Sequence, residues 1–192
     1  MIELQRGDEM ALAREDGTPL GRLTMGLGWD KKAGAGALSG SNTPDVDLDA
    51  SAVQYAGDQL FDLAFFNHLE TRDGSVVHLG DNISGRGEGD DEQITIDLDQ
   101  VYPRVDTMLF LVSSYHGHSL EWVRNAYCRL SDEDGDEIAR FTLTEGVPRT
   151  GFMMAKMFRD PGDTGAWRLK AIGQGIAVSV PTESLDVLQR FV

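Results

Sequence analysis

Residues 93–99, QITIDLD, alternate apolar and polar side chains along their whole length. Successive side chains of an extended strand point to opposite faces, so Ile94, Ile96 and Leu98 are predicted to share one buried face. The next apolar run, TMLFLVSSY at residues 107–115, is typical of a strand that is covered on both sides. A half-covered strand followed by a fully covered one favours two packed layers of sheet.

The rest of the chain repeats this pattern of short apolar runs separated by turn signals. Asp16-Gly17, Asp73-Gly74 and Asp134-Gly135 are dipeptides that favour tight hairpin turns. Helical spacing predicts one short helix at residues 181–191 and a second at residues 98–106. Further strands are predicted at residues 10–15, 20–29, 48–56, 60–67, 76–79, 123–131, 137–144, 151–159 and 167–175. The sequence therefore predicts one domain, residues 1–192, that is mainly β: an antiparallel β-sandwich of two sheets with one or two short helices.

The charge balance and the cysteine count exclude several classes of protein. The chain has 17 Lys and Arg against 32 Asp and Glu, a net charge of −15 at neutral pH. Such a charge repels phosphate backbones, so no nucleic-acid partner is expected. Cys128 is the only cysteine, which excludes an internal disulfide and a cysteine-based metal cluster and fits a reducing compartment. Because no apolar leader follows basic residues at its start, the chain is expected to be cytoplasmic.

The negative charge is concentrated in about a third of the chain. Between Asp30 and Asp99 there are fifteen Asp and Glu against four Lys and Arg, a net of −11. Folding must bring some of these carboxylates together, and like charges held close favour the binding of a counter-charge. The densest stretch is GDNISGRGEGDDE, residues 80–92, which holds four glycines and five carboxylates with Arg86 as its one cation.

Residues 80–92 combine flexible backbone with many oxygen atoms. Glycines such as Gly87 and Gly89 can adopt positive φ, which turns backbone carbonyls inward, and the Asp, Asn and Glu side chains add further oxygens. Oxygen ligands without sulfur and with little nitrogen are the ligands that Ca²⁺ prefers. The spacing of an EF-hand is not matched, because Ile83 and Gly85 stand where that motif has ligands. A phosphate-binding glycine loop is the alternative for GRGEG, although the strand and helix that such a loop requires do not flank it.

A second acidic stretch, DVDLDAS at residues 45–51, presents alternating aspartates. Asp45, Asp47 and Asp49, with Asp30 preceding them in GLGWD, offer several hard oxygens to one ion. The EF-hand spacing fails here as well. A solvated acidic start to a strand explains this stretch equally well.

Other candidates for chemistry are weaker. His116 and His118 in YHGHS would point the same way on a strand and could bind a transition metal, but a polar loop end is favoured because no third ligand is apparent. Residues 132–137, DEDGDE, are predicted to be a hairpin tip, and Cys128 a packed thiol. No nucleophile motif is present and no carboxylate pair stands out, so no enzymatic activity is expected.

Several of these stretches together resemble the TerD family of tellurium-resistance and stress-response proteins. The resemblance is carried, in the family's order, by GLGWD, DVDLDAS, FFNHL, DGSVVHLGDNISGRGEGDDE and WRLKAIGQG, and it extends from about Gly26 to Gly175. It implies a β-sandwich of two antiparallel sheets that binds Ca²⁺ through acidic loops at one end. The metal ligands that the matching motifs imply are Asp30, Asp47, Asp49, Asn67, Asp81, Asn82, Gly87, Gly89, Asp90, Asp91 and Glu92, with the glycines contributing carbonyl oxygens.

The function that the resemblance implies is resistance to tellurite and other chemical stress. The expected protein binds calcium without being an enzyme, and its partners are calcium ions and other stress-response proteins at the membrane. One alternative is a protein-interaction or membrane-recruitment module whose loops are ordered by Ca²⁺. Another is a binder of small molecules or nucleotides in which the metal bridges a phosphate to the acidic loop.

Overall fold

The structure is a computed structural model that describes residues 1–31, 48–80, 89–143 and 147–192, without the side chains of residues 30, 31, 122–125, 143, 163 and 164. These residues form twelve strands, one α-helix and three 3-10 helices. The strands are β1 (Ile2–Glu3), β2 (Glu9–Ala11), β3 (Arg22–Lys31), β4 (Asp49–Ala56), β5 (Gln59–Ala64), β6 (Val76–His78), β7 (Glu92–Asp97), β8 (Thr107–Ser113), β9 (Val123–Asp132), β10 (Glu137–Leu143), β11 (Gly151–Asp160) and β12 (Asp163–Ile176). The helices are α1 (Leu185–Leu188) and the 3-10 helices Leu120–Trp122, Pro181–Glu183 and Gln189–Phe191.

The strands form two six-stranded sheets. The first sheet has the order β1-β10-β9-β3-β7-β6, and the second has the order β2-β12-β11-β8-β4-β5. Every described pairing is antiparallel except that of β1 with β10, which is parallel. The prediction of a mainly β fold with two sheets and short helices is confirmed.

The core lies between the two sheets, as the alternation of β7 predicts. Ile94 and Ile96 are buried there, opposite Phe110 of β8 in the other sheet. The other face of β8, which carries Leu111, is covered by the C-terminal segment through Leu188. Burial of a Leu, Ile or Phe side chain contributes about 1.5–3 kcal/mol, so these two layers supply much of the stability.

The predicted hairpin turns are confirmed, but one predicted helix is wrong. Gly17, Gly74 and Gly135 adopt φ of +87°, +70° and +85° in the expected turns. Residues 98–106 form turns instead of a helix, because the Tyr102 N–H donates to the Asp73 carboxylate at 2.9 Å. Pro103, which lacks an N–H, follows Tyr102 directly, and this also opposes a helix.

Strand direction brings the acidic segments to one end of the sandwich. β3 ends at Lys31 and runs antiparallel to β7, which begins at Glu92. In the second sheet β4 begins at Asp49, and its next residue contacts Glu92 directly. We call this region, formed by the end of β3 and the starts of β4 and β7, the acidic end.

Candidate metal site at the acidic end

Hydrogen bonds join the acidic segments to one another. The Ala50 N–H donates to Glu92 Oε2 at 2.6 Å, and this bond connects the two sheets. The Trp29 N–H donates to Asp91 Oδ2 at 3.0 Å, and the Asp91 N–H donates to the Leu27 carbonyl at 2.7 Å. The structure therefore places next to one another the three segments that the sequence predicted as parts of one site.

Glu92 and His78 form a buried pair at the centre of this region. Glu92 is 2% exposed and shares the inward face of β7 with Ile94. His78 Nε2 lies 3.4 Å from Glu92 Oε2, which is longer than a normal hydrogen bond. His78 Nδ1 accepts a hydrogen bond from the Gly80 N–H at 3.2 Å, which holds the orientation of the ring.

Asp49 approaches the acidic end from the other face of the second sheet. Strand alternation places Asp49 with Val53 and Tyr55, which belong to the cluster under the C-terminal segment. Ala50 belongs instead to the core between the sheets. Asp49 is buried and is paired in register with Ser113 of β8.

Asp90 occupies a closed ring of polar contacts on the outer face of the first sheet. Asp90 Oδ1 accepts from Arg129 Nε at 2.8 Å and from the Tyr127 hydroxyl at 3.1 Å. Asp90 Oδ2 accepts from Arg129 Nη2 at 3.0 Å and from Gln93 Nε2 at 3.1 Å. Only 2% of the Asp90 side chain is exposed.

Glu137 and Arg140 of β10 complete the ring. Arg129 Nη1 lies 3.4 Å from Glu137 Oε2, which also accepts from Arg140 Nη2 at 2.7 Å. The Arg140 guanidinium in turn lies 4.2 Å from the centre of the Tyr127 ring. Its hydrogen bond to Glu137 raises the pKa of Arg140, and the hydrogen bond from Arg129 to Asp90 raises the pKa of Arg129.

The glycines of GLGWD provide the space for this ring. A Cβ atom on Gly26 would lie 2.1 Å from Asp90 Oδ2, and one on Gly28 would lie 2.5 Å from the Tyr127 ring. Real Cβ atoms do not approach other atoms so closely, so a side chain at either position would have to displace Asp90 or Tyr127. Part of the glycine pattern in the motif thus serves packing on the outer face of the sheet.

Asn67 and Gly89 lie in turns near the site. Asn67 is exposed in the turn between Phe65 and His68, and the register of β4 with β5 places it at the level of Asp49. Gly89 has φ of +98°, as the glycine pattern predicted, and its carbonyl accepts from the Tyr127 hydroxyl at 3.0 Å.

Part of the predicted site lies outside the described residues. Asp47, Asp81, Asn82 and Gly87 are in this group, as are Asp45 and Arg86. Asp30 lies in β3 opposite Arg124, and its side chain is not described. Among the described side chains, no group of three or more His, Cys, Asp and Glu could hold a metal ion.

The other candidates behave as packing or loop residues. Cys128 is buried in β9 with its Sγ 3.3 Å from the Met25 Sδ, and burial raises the pKa of this thiol to about 12. This confirms the packed thiol, and residues 132–137 form the predicted hairpin tip. His116 and His118 lie in the loop after β8 with ring centres 6.0 Å apart.

Sequence reasoning missed His78, Tyr127 and Arg129 as residues of the acidic end. The signal for the last two was present, because polar and apolar residues alternate in NAYCRLS and place Tyr127 and Arg129 on one polar face. Nothing local indicated that this face would meet Asp90, 39 residues away.

Comparisons with known proteins agree with the fold and the motifs. The chain is 38% identical over 177 residues to a tellurium resistance protein TerZ from Serratia marcescens, which covers 90% of this chain and 89% of that protein. It is 32% identical to stress response protein SCP2 from Bacillus subtilis, over the whole of this chain and 99% of that protein. A solved structure described as a homologue of telluride resistance protein (TerD), from Streptomyces coelicolor A3(2), superposes with a TM-score of 0.66 at 20% identity, over 83% of this chain and 92% of that one.

The family assignment follows from these matches. No helix among the described residues is long and apolar enough to cross a membrane. The model of the TerD domain matches residues 1–182, nearly the whole chain. The chain therefore belongs to the TerD domain family, whose members include tellurium-resistance and stress-response proteins.

Proposed function

We propose that this chain is a Ca²⁺-binding stress-response protein that acts without catalysis and contributes to resistance to tellurite or other chemical stress. The stress role is drawn from the names of the relatives. The observation that carries the calcium proposal is the 2.6 Å hydrogen bond from the Ala50 N–H to Glu92, which brings two acidic segments against each other across the sandwich. Carboxylates that folding collects in this way gain from a shared counter-charge.

The donors at the acidic end fit a hard cation. Asp91 and Glu92 supply oxygens, the segment that begins with Asp49 meets Glu92 through the Ala50 N–H, and the nearest ring nitrogen is His78 Nε2, 3.4 Å from Glu92 Oε2. This chemistry favours Ca²⁺ over Zn²⁺ or Cu²⁺, which prefer nitrogen and sulfur. Further oxygens would come from Asp30, Asp47, Asp81 and Asn82, as the sequence predicts. Bound calcium would supply positive charge that offsets repulsion among these side chains.

Thermal denaturation with calcium or with a chelator tests the proposal. A ligand at 100 times its Kd stabilises the folded state by about 2.7 kcal/mol, which raises Tm by about 5–10 °C in a chain of this size. We expect Asp91→Asn to lose most of this rise. Asp134→Asn is the matched control, because Asp134 is an exposed aspartate of the hairpin tip at the other end of β9. An equal rise in both variants would contradict the assignment of the site.

The absence of catalysis is supported by the state of the one thiol. Cys128 is buried and its pKa is raised to about 12 by burial, so almost no thiolate is present at neutral pH. The described carboxylates of the site also hold the backbone: Asp91 binds the Trp29 N–H and Glu92 binds the Ala50 N–H. These contacts suit a structural binding site, because both carboxylates are held by backbone N–H groups.

A second candidate function is a Ca²⁺-ordered interaction module for other stress-response proteins, including those at the membrane. It is favoured by apolar side chains exposed at the acidic end: Leu79 is 57% exposed and Tyr115 is 48% exposed. Tyr115 packs edge-on against Phe66, with ring centres 5.3 Å apart, which holds it in place beside Ser113. Capture experiments with Leu79→Ser, in calcium and in chelator, test this function. Capture that is independent of both calcium and Leu79 would contradict it.

A further inference from the structure

We propose that Asp90 is a positioning residue: it fixes the backbone that leads into β7, so that Asp91 and Glu92 are presented to the cation, and it is not itself a metal ligand. The part of this inference that concerns calcium rests on the proposed function. The structural half of the inference, that Asp90 holds this backbone, rests only on contacts that need no metal.

The first argument is that the Asp90 carboxylate is already bound by protein donors. A carboxylate offers about four lone-pair positions. Asp90 accepts two hydrogen bonds from Arg129 and one from Gln93, and it shares the proton of the Tyr127 hydroxyl with the Gly89 carbonyl. Its side chain is also 2% exposed, so a cation could reach it only by displacing these donors.

The second argument is that the charge of Asp90 is already balanced. Asp90 and Glu137 carry two negative charges, and Arg129 and Arg140 carry two positive charges within the same ring of contacts. A neutral ring gains little from an additional cation. The attraction for calcium therefore falls on the neighbouring carboxylates.

The third argument is that the position of Asp90 fixes that of Asp91. The Asp90 carboxylate lies against Gly26 of β3, and the next residue donates its N–H to Leu27 of the same strand. Asp91 Oδ2 then accepts a hydrogen bond from the Trp29 N–H, two residues further along β3. Gly26, Leu27 and Trp29 of β3 thus hold Asp90 and Asp91 in place, and Asp90 provides the charged contact of that set.

The Ca²⁺ affinity of Arg129→Gln separates a positioning residue from a ligand. If Asp90 were a ligand that Arg129 restrains, removing the positive charge would free the carboxylate and strengthen calcium binding. If Asp90 positions its neighbours, the same change loosens them and weakens binding, by about tenfold or more, as for other residues that orient metal ligands. We expect Asp90→Asn and Arg129→Gln to weaken binding alike, measured by calorimetric titration with calcium alone. Tighter binding by Arg129→Gln would overturn the proposal.

The control is an ion pair between β3 and β7, at the end of the first sheet opposite to Asp90. Arg22 Nε contacts Asp97 Oδ2 at 2.9 Å, where β3 begins and β7 ends. Asp97→Asn removes a comparable charge from β7 but should leave the affinity for calcium unchanged. If Asp97→Asn loses as much calcium affinity as Asp90→Asn does, the effect is a general one of charge, and the positioning role is overturned.

Amide hydrogen exchange of the metal-free protein tests the structural half independently. We expect the Asp91 amide to exchange roughly tenfold faster in Asp90→Asn, through easier local opening. Tyr127→Phe, which removes one hydroxyl and keeps the ring over Gly28, should show a smaller increase in the same direction. Unchanged exchange in both variants would overturn the inference. If the wild-type protein binds no calcium while exchange responds as expected, the proposed function fails and the structural role of Asp90 stands.

Discussion

Replacing Gly26 with alanine tests the packing around Asp90 most severely. The added Cβ would lie 2.1 Å from Asp90 Oδ2, 2.4 Å from its Cγ and 2.7 Å from its Oδ1. All three distances are far below van der Waals contact, and the atoms belong to a buried side chain. The carboxylate must therefore leave its place and separate from Arg129.

The size of the effect follows from the contacts that are lost. Breaking one side of a buried ion pair costs about 3–5 kcal/mol, and the partial exposure of Arg129 (30%) reduces this to about 2–3 kcal/mol. Alanine is itself more favourable than glycine inside a strand by about 0.5–1 kcal/mol. We therefore expect Gly26→Ala to lower the free energy of unfolding by about 2 kcal/mol.

Urea denaturation of a double-mutant cycle isolates the cause. In an Asp90→Ala background the clashing carboxylate is absent, so adding Gly26→Ala should leave only the gain of about 0.5–1 kcal/mol from alanine in a strand. The two changes would then show a coupling free energy of about 2.5–3 kcal/mol, within the range seen for residues in direct contact. Additive effects, or a cost of Gly26→Ala below about 0.5 kcal/mol, would refute this account of the packing.

Three further predictions concern other parts of the first sheet. Gly28→Ala should lower the free energy of unfolding by about 1–3 kcal/mol, because its Cβ would lie 2.5 Å from the Tyr127 ring, and urea denaturation measures this. Cys128 should react with a thiol reagent only after unfolding, because burial raises its pKa to about 12; rapid labelling of the native protein would contradict this. The hydrogen bond from Arg140 lowers the pKa of Glu137 below its ordinary value of 4.5, so this carboxylate stabilises the fold above that pH and the stabilisation is lost as the pH falls through the lowered pKa. Glu137→Gln should therefore lose less stability on acidification than the wild type, as followed by denaturation between pH 7 and pH 3.

The sheets could be predicted because their signals are local. The alternation of Ile94 and Ile96 and the Asp-Gly turns report on a few neighbouring residues, and both are confirmed. The predicted helix at residues 98–106 failed for a long-range reason, since the Tyr102 N–H binds Asp73 from another hairpin. The short strand β1 was missed because two residues carry no periodic pattern.

The site could be predicted by composition but not by geometry. Residue types identified the acidic segments, and the structure brings Asp91 and Glu92 to the ends of β3 and β4. The role of Asp90 depends on the register of three strands, which places Gly26 opposite Arg129 and Arg129 opposite Arg140. Register between distant strands is set by the whole fold, so no local sequence pattern could predict this ring of contacts.

Calorimetric titration of the chelator-treated protein with Ca²⁺ tests the central claim most directly. We predict a saturable heat of binding that Mg²⁺ reproduces only weakly, because Mg²⁺ tends to retain its water ligands. The same protein should melt at a higher temperature in calcium than in chelator. No heat of binding, together with an unchanged melting temperature, would contradict the claim that the acidic end is a calcium site.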